Sequence, residues 1–170
     1  MSFQIWMKTE KPLQQLASEI RDLFALPTFK HHTLAGESYC QFEVFGMLLI
    51  IRQPDEEPHN PEVDEEPRDS EVLDYPYSLD MHLSFTDHEL DTDTMEYTLQ
   101  PYYAQFLAFH LGIKTACLQK KKMGNHWQIR YNFYCKNPNW KPSLLYGEDG
   151  WKPAVITDMP SPWRSMLPEF

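Results

Sequence analysis

Tyr77-Ser78-Leu79-Asp80-Met81-His82-Leu83-Ser84-Phe85 alternates apolar and polar side chains without a break. Successive side chains of an extended strand point to opposite faces, so this stretch predicts a strand with one face on a core and one face polar. Upstream, residues 39–52 carry a second extended pattern, in which Cys40, Phe42 and Val44 alternate with Gln41 and Glu43. After Gly46 the run Met47-Leu48-Leu49-Ile50-Ile51 is apolar at every position. A single strand with a bulge or bend at Gly46 is the expectation there.

Two helices flank these strands in the reading. Leu13, Leu16, Ala17, Ile20, Leu23 and Phe24 recur at three- and four-residue spacing, which predicts an amphipathic helix from about Pro12 to Ala25, ended by Pro27. A second, aromatic helix carries Leu99, Tyr102, Tyr103, Phe106, Phe109 and His110, with Gly112 as its C-terminal cap. Its start falls at Asp93, three residues before Glu96 as in a capping box, or at Pro101. A β-hairpin follows: one arm at 113–119, a turn over 120–125, and a second arm at 127–136. Residues 137–170 are rich in Pro and Trp and predict an extended tail. The order α-β-β-α-β-β plus tail describes one α+β domain over 1–170, a mainly antiparallel sheet of four or more strands with two packed helices.

Composition narrows the class. The chain has 170 residues, enough for one ordinary core, and its Cys40, Cys117 and Cys135 show no Cys-x-x-Cys pairing. Free buried thiols are expected, with neither a disulfide framework nor a zinc ribbon. The first eight residues lack the charged head and apolar stretch of a signal peptide, and no run is long enough to span a bilayer. The expected location is cytoplasmic, with no membrane contact.

Charge is distributed unevenly. The net charge of −10 conceals a segment 54–75 with ten carboxylates and one Arg, and a segment 76–96 with six carboxylates and no Lys or Arg. Residues 97–147 then hold seven Lys or Arg and no Asp or Glu. Segment 54–75, interrupted by four prolines, reads as a flexible acidic loop. Such a field attracts cationic partners and raises association rates with them; the alternatives are a loop that folds back onto the chain's own basic hairpin, or one that is simply solvated.

No phosphate-binding glycine loop, nucleophile elbow or His-Glu-x-x-His zinc motif is present, so no cofactor, metal or catalytic residue is assigned. The leading expectation is a non-catalytic interaction domain, an acidic inhibitor or immunity-type protein that blocks a basic enzyme or nucleic-acid-handling complex. Its contact residues would be Asp55, Glu56, Glu57, Asp64, Glu65 and Glu66, with Asp87, Glu89, Asp91 and Asp93 as a second patch. One alternative is a nucleic-acid-binding accessory subunit, using Lys120, Lys121, Lys122, Arg130, Tyr134 and Lys136 of the hairpin. In that pattern Gln128, Arg130, Asn132, Tyr134 and Lys136 share the outer face. Another alternative is a small hydrolase or metal enzyme centred on Asp80 and His82, which project from one strand face. The loop pair His31-His32 has low specificity for any chemistry.

Overall fold

The computed structural model describes residues 2–34, 36–44, 46–53, 70–83, 92–140, 155–158 and 160–166. Among the described residues nine strands form one antiparallel sheet: β1 Ser2–Lys8, β2 Lys30–Leu34, β3 Glu37–Val44, β4 Met47–Gln53, β5 Tyr77–Leu83, β6 Lys114–Met123, β7 His126–Lys136, β8 Val155–Asp158 and β9 Arg164–Ser165. Their spatial order is β2-β3-β4-β5-β1-β6-β7-β8, and β9 pairs with β7. The described residues also form two α-helices, α1 Leu13–Phe24 and α2 Thr92–Leu111.

The expected α+β class with two helices and an antiparallel sheet holds, but the element order differs. Ser2–Lys8, left unassigned above, is the strand on which both halves of the sheet meet. It pairs with β5 on one side (Ile5 opposite Leu79) and with β6 on the other (Ile5 opposite Cys117). Phe3, Ile5 and Met7 alternate with Gln4 and Trp6, so the strand signal was present but blurred by an apolar Trp on the second face. His31 and His32, read as a loop pair, lie in β2 opposite Cys40 and Tyr39. The stretch 39–52 is two strands rather than one bulged strand: the chain reverses between Val44 and Met47, which face each other, with Gly46 at φ 77°. A glycine at positive φ serves a reversal as readily as a bulge, and only the pairing partner distinguishes them.

The helices cover one face of the sheet. Leu13, Leu16, Ala17 and Ile20 of α1, and Ala104, Leu107 and Ala108 of α2, are buried against Ile5, Met7, Phe42, Ile51 and Leu79. Removing side chains of this size from water stabilises by roughly 1.5–3 kcal/mol each, which makes this face the core. Gly112 follows α2 at φ 63°, as a left-handed helix cap requires. Asp93 lies inside α2 rather than ahead of it, and Pro101 is interior. Next to that proline, the Gln100 side chain donates a 2.7 Å hydrogen bond to the Gln4 carbonyl of β1, tying the helix to the sheet where its own ladder loses a donor.

A smaller apolar cluster forms on the opposite face, where Val72 and Tyr75 pack with Ala116 and Tyr131. Val72 lies in a short 3-10 turn, Ser70–Val72, and is fully buried. The end of the expected acidic loop is therefore packed structure from Ser70 onward; positions 54–69 lie outside the described residues. The tail differs as well. Both β8 and β9 pair with β7, and the Ser161 amide and hydroxyl bind the Tyr131 carbonyl and amide at 3.0 and 2.7 Å.

Candidate functional site: the basic hairpin arm and the Asp80 cluster

The β6–β7 hairpin is longer and tighter than its sequence pattern suggests. Its turn is only Gly124-Asn125, with Gly124 at φ 61°, and strand pairing runs out to Met123 opposite His126. Lys120, Lys121 and Lys122 are therefore strand residues, facing Ile129, Gln128 and Trp127. Strand β1 pairs with β6 only from Lys114 to Cys117, so Leu118–Met123 has β7 as its only strand partner among the described residues. This outer half extends beyond the central strand as an arm, whose β7 side also pairs with β9 at Gln128 and Ile129.

Alternation divides the arm into two faces. Lys122 and Trp127 share one, with the Lys122 Nζ 5.9 Å from the Trp127 ring centre. Gln119, Lys121, Arg130 and Asn132 share the other, and the Gln119 carbonyl oxygen accepts from Arg130 (2.8 Å) and Asn132 (3.2 Å). Trp163, brought there by β9, lies 4.5 Å from the Arg130 guanidinium and 5.8 Å from the Lys121 Nζ. A cation over an indole face is attracted by the ring quadrupole, so each Trp helps hold positive charge at the arm. Neither Trp127 nor Trp163 figures among the expected site residues: Trp127 alternates with the residues read as the outer face, and the link from Trp163 in the tail to the hairpin is tertiary.

Two residues assigned to the outer face are placed otherwise. Tyr134 is buried in the main core, opposite Thr115, and burial pushes its phenol well above the usual range. The face that carries it is the helix-covered one. Lys136 lies over Phe109 (4.9 Å) and Trp140 (5.6 Å), at the far end of β7 from the arm. Tyr134 and Lys136 therefore do not join Lys120, Lys121, Lys122 and Arg130 in one surface.

Asp80 and His82 do share a face, the one opposite the helices, but Asp80 is engaged elsewhere. Its Oδ1 accepts from the Gln4 side chain (2.8 Å) and its Oδ2 from the Ser78 hydroxyl (3.4 Å). The Arg52 Nε lies 3.0 Å from Oδ2, although its N–H is not aligned for a hydrogen bond. Arg52 also reaches Glu37 at 3.7 Å. A buried carboxylate is tolerated when charge and donors compensate its lost hydration, and this set supplies both. Among the described residues no group of three His, Cys, Asp or Glu could hold a metal ion. Cys40 and Cys117 are buried and Cys135 is half-buried; burial pushes the Cys117 thiol up to about 12.

The acidic positions form a different class. Asp55, Glu56, Glu57, Asp64, Glu65, Glu66, Asp87, Glu89 and Asp91 lie outside the described residues, as does the side chain of Asp93. The described side chains include twelve Lys or Arg and eight Asp or Glu. Seven of those eight carboxylates are in ion pairs, with Lys8, Lys11, Arg21, Lys30, Arg52 and Arg164 as partners. The other six bases all lie on β6 and β7. The remaining seventeen carboxylates, against three bases, fall at positions whose side chains are not described.

Comparison with family profiles, curated proteins and solved structures found no match to this chain. No helix of the described residues is long and apolar enough to cross a membrane.

Proposed function

We propose that this chain is a non-catalytic interaction protein that binds a basic macromolecular partner, as an inhibitor or immunity-type protein does, through its carboxylate-rich segments. The observation that supports it is the charge partition. Seven of the eight carboxylates of the described body are paired with the body's own bases, whereas most of the other seventeen fall at 54–69 and 84–96. A charge already paired contributes little to attracting a visitor, while a surplus of one sign steers an oppositely charged partner at long range. The absence of a cofactor or nucleophile motif from the sequence accords with binding rather than turnover.

The test is capture on the immobilised full chain, run beside a variant with Asp55, Glu56, Glu57, Asp64, Glu65 and Glu66 changed to Asn or Gln. The expected outcome is a basic partner retained by the wild type, with an association rate that falls at least tenfold in the variant and loses most of its salt dependence. Equal rates for the two proteins at low salt would overturn this reading. Once a partner is in hand, inhibition of its activity by the wild type alone distinguishes a blocker from a passive binder.

A further inference from the structure

We propose that the outer half of the β6–β7 hairpin is a second binding site, independent of the acidic segments, and that its ligand is single-stranded nucleic acid. Three observations support it. The arm is a paired ribbon that extends beyond the central strand, with Lys121, Lys122 and Trp127 exposed toward its tip. It lies within a stretch of 51 residues, 97–147, that contains no Asp or Glu. It also presents an indole: Trp127 is 36 % exposed at the tip, directly across from Lys122.

The indole decides the class of ligand. Lysines alone attract any polyanion, including an acidic protein segment. A flat ring beside a cation adds a surface on which an unpaired base stacks while its phosphate meets the ammonium group. Bases of a duplex are already stacked and leave that ring unused. On the opposite face, Lys121 and Arg130 provide further phosphate contacts, held in place by Trp163.

Fluorescence anisotropy of a labelled 12-nucleotide deoxythymidine strand, titrated with the full chain, tests the site. Contacts from Lys121, Lys122 and Arg130 release about three counterions' worth of charge. Affinity is then expected to fall about twentyfold between 50 and 200 mM salt. Lys121→Gln with Lys122→Gln should flatten that slope by roughly two-thirds. Trp127→Leu should weaken binding at least fivefold while leaving the slope unchanged, and Trp127→Phe should restore most of it. No binding at 50 mM salt overturns the proposal. So does duplex binding as tight as single-strand binding, or indifference to Trp127→Leu, which would reduce the arm to an unspecific polyanion contact. Because none of these readouts uses the acidic positions, their outcome leaves the partner-binding reading to its own test.

Discussion

Ala25 ends α1 in a left-handed conformation, φ 52° and ψ 41°, where its amide caps the carbonyls of Arg21 and Asp22. An L-residue with a Cβ pays roughly 1–2 kcal/mol for that region, and glycine does not. Ala25→Gly is therefore expected to stabilise the fold by about 0.5–1 kcal/mol after the added flexibility of the unfolded chain is deducted, read as a raised urea midpoint. Asp80 is the opposite case. Replacing it by Ala leaves the Gln4 amide without its acceptor and removes one of the two carboxylates facing Arg52. A loss of about 1–3 kcal/mol follows, as expected for orphaned buried donors, measurable by the same titration. The sequence identifies Asp80 as a polar residue on a strand face but does not reveal its partners. Gln4 and Arg52 are 76 and 28 positions away, and only the neighbouring of β1, β4 and β5 brings them together.

The hairpin arm depends on one turn. Gly124 has φ 61° and an added Cβ there would meet nothing within 4 Å, so any cost of substitution is backbone strain alone. Gly124→Ala should cost about 1–2 kcal/mol, and hydrogen exchange should locate the loss in the outer rungs, Lys120–Met123 against His126–Ile129, rather than in the body of the sheet. Element by element, long periodic segments were readable: α1, β5, the hairpin and the end of α2 at Gly112 follow from spacing. The errors share a cause. β1 carries the apolar Trp6 on its second face, β2 has only five residues, β3 and β4 meet at a glycine that serves a bend or a reversal equally, and β8 and β9 exist only because β7 offers an edge to pair with. Local pattern carries no information about a partner distant in sequence.

For the whole molecule, buried acidic groups set an alkaline limit. Burial raises the Cys40 thiol to about 11 and the Cys117 thiol to about 12, and shifts Tyr77 and Tyr134 upward as well. Each is neutral in the fold beyond the pH at which the unfolded chain gives up the same proton. Their contribution is thus fully present below about pH 9, the ordinary thiol value, and declines as pH rises toward 12. The urea midpoint should drop between pH 8 and 10.5, and tyrosinate absorbance should show a class of tyrosines that ionises only on unfolding. On the acid side, the Lys11 hydrogen bond lowers Glu19, so its small contribution is present above the usual carboxylate range and lost as pH falls through the lowered value. The charge partition is also a whole-molecule property, since it requires knowing which carboxylates already meet a base.

From its residues alone this protein specifies an α+β chain, two helices, the hairpin, free thiols and the concentration of carboxylates at 54–96 against bases at 97–147. These are matters of local spacing and of counting, and each is set by residues close together in the chain. Strand order, the inward turn of Tyr134, the pairing of Asp80 with Gln4 and Arg52, and the delivery of Trp163 to Arg130 were decided only by the tertiary structure. Alternation tells which side chains share a face of a strand; which face meets the helices depends on which strands become neighbours.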